Sequence, residues 1–512
     1  MRYCFLLLIF SGVVAGQTVD GDVVNAATGA PIVGAHVFTN VGTAGQPPIV
    51  TTDAAGHFRL PVPALTQFSV QVVQAGFLRE AVQYKRGQAA ALRTALTPEA
   101  VISGRIEDED GYPVEHAQVA AVRYRIVNGE RKLWALAWAQ TDDLGQYRLI
   151  NLVAGRYWVR ASSGDAGNWD RRYVAEYFPG TLQPDDTNRV EIEAGQEHGG
   201  VDIRLTKYEG VTVSGRVEMP AGAAASPRMF NVRVQTELAG LPDIFFGLAQ
   251  RDGSFIIRHV PPGDYILRTT SGNYPPKAGD LLGEQKLQVA EADVTSIVLA
   301  THEVQAVDLA GTVVTDSGGN PPPMRIGLRA MSGPGVSVRS NEDGSFVLKD
   351  LLPGHYDMQV MQDLRVVNGT VEPSSIHGFP VSARLGEKEV LQNGFDVDGP
   401  PAGSLRITLS TRLIPISGKL LDASGSPASE ALLGLISKGQ AVDQGVAIAD
   451  ADGSFHFAVW QPGDYRIIPL RYSGDVGDAE YLEKHENDFP PFKAVDGTNP
   501  PLMLRLPAQQ AR

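Results

Sequence analysis

One short pattern recurs five times along the 512 residues and limits what this chain can fold into. It reads Asp53-Ala-Ala-Gly56-His-Phe58, Asp143-Leu-Gly145-Gln-Tyr147, Asp252-Gly253-Ser-Phe255, Asp343-Gly344-Ser-Phe346 and Asp452-Gly453-Ser-Phe455. In every copy an aromatic residue stands two positions after the glycine. Ten residues beyond that glycine, four copies place another, at Gly155, Gly263, Gly354 or Gly463, and two positions later Tyr157, Tyr265, Tyr356 or Tyr465. The first copy has Thr66 and Phe68 in those places. Self-similarity of this kind marks an array of like modules.

The pattern is that of a β-hairpin. Asp caps its own backbone and Gly accepts a positive φ, so the pair makes a tight turn. Apolar residues then alternate, as in Phe255 and Ile257 or Phe455 and Phe457, with Arg148 or His456 facing the other way in a half-buried strand. Pro-Gly or Ala-Gly reverses the chain into another alternating strand. Upstream, each module opens on a glycine-bearing strand: Gly21, Ser103-Gly104-Arg105, Ser214-Gly215-Arg216, Ala310-Gly311 and Ser417-Gly418-Lys419. Most close on a further strand, such as Val201-Asp-Ile203-Arg-Leu205 or Leu405-Arg-Ile407-Thr-Leu409. About six to eight strands in roughly 80 to 110 residues is the size of a two-sheet sandwich. The expected fold is therefore all-β, with five sandwiches at residues 17–98, 99–207, 208–302, 303–412 and 413–512 joined by short linkers.

The first 16 residues read as a cleaved export signal. Arg2 starts it, residues 4–15 are apolar, and Val14-Ala15-Gly16 before Gln17 is a small-residue cleavage site. The sole cysteine, Cys4, lies inside it, so the expected mature chain holds its modules together by apolar cores and not by disulfides. Nothing later is apolar for long enough to cross a bilayer as a helix. A formal net charge of −14 argues against nucleic acid and against anionic membrane surfaces as partners.

At this point the chain resembles the carboxypeptidase regulatory-like domain, a transthyretin-like (prealbumin-like) sandwich also grouped with carbohydrate-binding-like folds. The residues that carry the likeness are Ser-Gly-Arg at 103–105 and 214–216, the Asp-Gly-Ser-Phe turns, and Pro-Gly-Asp-Tyr at 262–265 and 462–465. The likeness covers nearly all of the chain after the leader and is weakest in module 1. The stretch from Arg172 to Gly180 resembles an insert of multi-copy bacterial members. The resemblance implies an accessory, non-catalytic module in exported bacterial proteins that accompany peptidases, outer-membrane transporters and adhesins.

Catalytic patterns do not emerge from the sequence. None of the ten histidines has Glu at +3, and His302-Glu303 and His485-Glu486 begin no His-Glu-x-x-His helix. A Gly-x-Ser-x-Gly elbow and a phosphate loop are both absent. Asp108-Glu-Asp110-Gly111 and Asp450-Ala-Asp452-Gly453 fit turns better than calcium loops, whose closing Glu is missing. Lys419 stands alone in an opening strand where the other modules have Arg105, Arg216, Thr312 and Asp22, so no regular Lys–Asn cross-link is expected. No cofactor and no metal are expected.

One surface candidate remains, the insert of module 2, with Trp169, Arg171, Arg172, Tyr173, Tyr177 and Phe178. Aromatic faces stack on sugar rings and Arg supplies flanking hydrogen bonds. Module 5 has a similar loop with Tyr481, His485, Phe489 and Phe492, and module 3 has Tyr274. The competing expectation is that these rings pack back onto the sandwich or between modules. Three functional readings follow: a non-enzymatic exported spacer and interaction scaffold, a carbohydrate-binding protein using the loops of modules 2 and 5, and an accessory subunit of a separate exported enzyme or transporter. The partner is then a polysaccharide or another exported protein.

Overall fold

The computed structural model describes residues 17–507 apart from 40–47, 63–66, 86–91, 128–129, 163–172, 208–209, 221–229, 237–243, 273–275, 331–334, 363–364, 368–369, 373–377, 392–393, 401–402 and 438–439. The expected export signal, Trp169, Arg171, Arg172 and Tyr274 lie outside the described residues. The chain folds as two compact units, residues 1–99 with 364–373, and residues 100–363 with 374–512. Strands dominate both, and five sandwiches follow one another along the chain.

Each sandwich opens on a strand that takes the middle of a sheet: Gln17–Asn25, Ala100–Asp108, Val211–Glu218, Val307–Thr315 and Ile414–Leu421. On one side it pairs antiparallel with the strand after the repeated turn. On the other it pairs parallel with a strand that closes the module. A parallel neighbour needs a long crossover, and here the crossover is the rest of the module, which forms the facing sheet. In module 2 that sheet runs Glu130–Gln140, Gln118–Val127, Gly155–Ser162, Glu176–Tyr177. Ile102, Ile106 and Leu149 of one sheet bury themselves against Val119, Ala121, Tyr157 and Val159 of the other. Modules 1, 3, 4 and 5 each close over a core of the same kind.

The repeated aromatic and the opening-strand glycine turn out to be one device. Gly21, Gly104, Gly215, Gly311 and Gly418 stand directly across the ladder from Phe58, Tyr147, Phe255, Phe346 and Phe455. A Cβ on those glycines would lie 2.1 to 2.6 Å from a carbonyl oxygen of the closing segment: Leu92, Val201, Ile297, Leu405 or Leu502. In three modules it would also run into the aromatic ring, at 2.6 Å from Phe58, 2.3 Å from Phe346 and 2.4 Å from Phe455. The missing side chain lets the closing segment approach and the ring fold over the gap, an arrangement in which an aromatic covers a strand glycine.

The turn itself works in two versions. Gly56, Gly145, Gly253, Gly344 and Gly453 all have φ between 72° and 85°, the left-handed region that favours glycine. In modules 1 and 2 the capping carboxylate stands three residues before the glycine. Asp53 accepts from the backbone of Ala55 and His57, and Asp142 from Leu144 and Gln146. It is Asp142, not its neighbour Asp143, that caps. In modules 3, 4 and 5 the carboxylate immediately precedes the glycine, and Asp252, Asp343 and Asp452 accept from the backbone of Ser254, Ser345 and Ser454. The shared element is the glycine; the acid has two places from which to reach the same amides.

The second repeated tyrosine closes the next corner. Tyr157, Tyr265, Tyr356 and Tyr465 each donate their hydroxyl to the carbonyl four residues upstream, on Val153, Pro261, Leu352 and Gln461, at 2.7 to 2.9 Å. A buried tyrosine needs such a partner, and the bond pins the strand to the turn that launches it. Burial pushes the hydroxyls of Tyr157, Tyr356 and Tyr465 above the ordinary tyrosine range.

Two outcomes are expected. Gly418→Ala forces a methyl into the Leu502 carbonyl and the Phe455 ring, and overpacking of this kind costs about 1–3 kcal/mol; urea unfolding followed by tryptophan fluorescence reads the loss. The second concerns acid. Hydrogen bonds from Ser454, then the Lys419 ammonium, hold the Asp452 carboxyl at about 2, and bonds within the turns lower Asp53, Asp252 and Asp343 too. A depressed carboxylate stabilises the fold above its ordinary range and loses that contribution as pH falls through the folded value. The protection of the Ser454 amide, its exchange rate relative to the unstructured rate at the same pH, should fall between about pH 4 and pH 2, and Asp452→Asn should remove that change in protection.

Candidate functional site

The most elaborate polar site joins module 2 to module 5, which are not neighbours in sequence. Module 5 interrupts its facing sheet between the strands Gly463–Leu470 and Phe492–Ala494 with a 3-10 turn, Ser473–Gly477, and a short helix α1, Ala479–His485. Asp478 caps α1, its Oδ1 accepting from the backbone of Glu480 at 3.1 Å and Tyr481 at 3.0 Å, as an N-cap aspartate should. Inside the turn Asp475 is fully buried and bonded to the backbone and guanidinium of Arg471. Tyr481 donates to the Pro469 carbonyl at 2.9 Å, and Leu482 packs with Ile436, Ile468 and Leu470. The insertion is thus anchored to its own module.

Its outer side carries acids, and module 2 meets them with arginines. The second Asp478 oxygen takes Arg123 Nη2 at 2.5 Å, with the two side chains 5% and 8% exposed. Arg123 also donates to the Tyr157 hydroxyl at 3.3 Å, so a repeated corner tyrosine supports the pair. Arg189 bonds Glu480 and also Asp186, the latter at 2.6 Å. Arg131 reaches Glu483 at 3.2 Å and Arg156 reaches Glu480 at 3.7 Å. The backbone joins in: Arg125 bridges to Asp478, and its Nε donates to the Gly477 carbonyl at 3.3 Å. A Cβ at Gly477 would lie 1.9 Å from the Arg125 guanidinium, which would have to swing aside. In return Arg471 donates to the Ala154 carbonyl at 3.1 Å.

An open hollow of about 1240 Å³ lies beside this junction on module 2, lined among others by Tyr124, Arg131, Trp158, Gln183 and Asp185. The rings there are engaged. The Arg189 guanidinium lies 3.7 Å over Trp158, whose Nε1 donates to the Asp185 carbonyl. The Arg131 guanidinium lies 4.2 Å over Tyr124, and Tyr124 meets Trp158 edge to face. Trp158 is only 3% exposed, so the hollow offers guanidinium and carboxylate groups more than open ring faces. Among the described residues no group of three His, Cys, Asp or Glu side chains is placed to hold a metal ion.

Of the surface candidates singled out in sequence, Trp169, Arg171 and Arg172 lie outside the described residues. Tyr177 is buried against Ala120, Val122 and Trp158 on the outer face of the sheet. Tyr173 and Phe178 pack on the module 2 core, and Tyr173 donates to Asp108 at 3.4 Å. In module 5 Tyr481 and Phe489 are buried, Phe492 packs on the core, and His485 lies against Tyr481 and bonds Asp488. The one large exposed ring of this sheet among the described residues is Trp138, 67% exposed. Arg123, Arg125, Arg189, Asp478 and Glu480 were not anticipated. A signal for them did exist: Asp478-Ala-Glu-Tyr-Leu-Glu-Lys-His485 is a capped, helix-forming run in an otherwise all-β chain.

Residues 101–206 match the carboxypeptidase regulatory-like domain. The chain carries a carboxypeptidase regulatory-like domain. That domain is module 2, from its opening strand to its closing one, and it supplies the arginine side of the junction. No curated protein matches the sequence. Solved structures similar to the chain include the Bacillus anthracis TIE protein, at 14% identity over 77% of this chain and 74% of that one, with a TM-score of 0.16. A streptococcal ancillary pilin shares 11% identity over 58% and 98%, with a TM-score of 0.21. Two B repeat units of the Staphylococcus aureus collagen-binding protein share 12% over 74% and 94%, with a TM-score of 0.15. At these values the likeness says nothing of what the chain binds or does.

Asp478→Ala should act at both levels of the junction. Losing the cap costs α1 about 1 kcal/mol, and Arg123 is left buried without its carboxylate. Hydrogen exchange is expected to speed up at Glu480 and Tyr481, while the cores of modules 3 and 4 keep their protection.

Proposed function

We propose that the chain is a non-catalytic, exported scaffold whose sandwiches hold interaction surfaces at set positions. The observation that carries this reading is the use made of the loops of modules 2 and 5. These are where an array of this kind would be expected to present a ligand, and their described aromatic and charged side chains are committed to packing and to the junction. The apolar leader of residues 1–16 supports export. No helix among the described residues is long and apolar enough to cross a membrane.

Carbohydrate binding is the second reading, favoured by the exposed Trp138 on the facing sheet of module 2, whose insert also contains Trp169. Affinity electrophoresis of the full chain in a panel of polysaccharides separates the two. The scaffold reading expects unchanged mobility on every glycan, for the chain itself and for Trp138→Ala/Trp169→Ala. Retardation by a glycan that the double substitution abolishes overturns it and makes module 2 a carbohydrate-binding module.

A further inference from the structure

We propose that the contact between modules 2 and 5 is a reversible electrostatic latch, closed at low ionic strength and released by salt. Three features of the junction point to this.

The first is how little apolar surface closure hides. The cluster around α1 consists of Ile436, Ile468, Leu470, Tyr481 and Leu482 with Leu432 and Val476, all of module 5, and Ile126 is its one member from module 2. Stable interfaces draw on a buried apolar centre, and the apolar cluster around α1 takes only Ile126 from module 2.

The second is its polarity. Four ion pairs cross the junction among the described residues, each setting an arginine of module 2 (Arg123, Arg131, Arg156 or Arg189) against an acid of module 5 (Asp478, Glu480 or Glu483). Such an arrangement selects orientation and steers the two faces together. Its net contribution is smaller than its geometry suggests, because the desolvation of Arg123 and Asp478 offsets their attraction. The Arg131–Glu483 pair, 44% and 57% exposed, and Arg156 at 55%, lie in reach of solvent ions and are screened by salt.

The third is that both faces are complete without each other. α1 keeps its Asp478 cap, its Tyr481 bond to Pro469 and its apolar packing within module 5. Arg123 keeps the Tyr157 hydroxyl, and Arg189 keeps Asp186 and the Trp158 ring. Opening therefore needs no unfolding. Closure is helped by the tether through modules 3 and 4, which makes module 5 an intramolecular partner. A weak interface is enough to stay shut under such a tether, and a modest change in screening is enough to release it. In the open state five arginines of the carboxypeptidase regulatory-like domain, the four above and Arg125, face solvent.

Fluorescence energy transfer tests the latch on the full chain. Tyr112 and Met503, 68% and 65% exposed on modules 2 and 5, are replaced by cysteine for dye labelling, with Cys4→Ser. Sodium chloride is raised from about 0.05 M to about 1 M, where the Debye length falls to about 3 Å. The latch expects transfer to change several-fold, to recover on dilution, and to leave near-ultraviolet circular dichroism unaltered. Glu480→Lys/Glu483→Lys should sit at the high-salt value throughout. Transfer that is constant across the titration overturns the proposal, and so does a change accompanied by loss of the circular dichroism signal. The titration of the chain without the charge reversal decides the matter even if that variant fails to fold.

Discussion

Everything in this molecule hangs on a close approach at the opening strand of each sandwich. Five glycines there leave room for a carbonyl of the closing segment, and at three of them the ring of Phe58, Phe346 or Phe455 crowds the same space. The contact ties the two ends of a module together, so a stretch of about a hundred residues becomes a closed sandwich with its core inside. It also explains why the aromatic follows the turn glycine by two residues. That spacing is what places the ring across the ladder from the opening glycine. The corner tyrosine, bonded four residues back, then fixes the facing-sheet strand that follows the repeated hairpin.

The junction between modules 2 and 5 is built from the parts of the sandwich that this device leaves free. Tyr157, a corner tyrosine, serves the repeat through its bond to Val153 and serves the junction by accepting from Arg123. The acids come from an insertion between two strands of module 5, the place where an all-β module tolerates extra chain without disturbing its ladder. Arginine suits the other side because its fork can bond a carboxylate and lie over a ring at once. Arg189 does both, with Glu480 and Trp158.

Turns, alternation and corner residues were legible because each is a local requirement with few chemical answers: positive φ asks for Gly, a buried corner asks for Tyr, a half-buried strand asks for period two. Legibility stopped at the choice between Asp142 and Asp143, since both lie within reach of the same amides and only the backbone path selects one. It stopped also at the aromatic residues of the inserts. Tyr177 and Tyr481 have the composition of a sugar platform, yet each is buried, Tyr177 against Trp158 and Tyr481 on Pro469 and Leu482. An aromatic in a loop is equally suited to stacking on a ligand or filling a gap, and composition does not say which face of the sheet lies beneath it.

By itself, then, the sequence determined the kind of module, its number and its all-β class, because those follow from interactions between residues a few positions apart and repeated five times. Tertiary structure alone decided that Arg123 would meet Asp478, 355 positions away, and that two modules separated by two others would share an interface. The physical reason is range. Turn and strand preferences act within a handful of residues, whereas an ion pair has no sequence period and is specified only when two folded surfaces are already in place to bring its charges together.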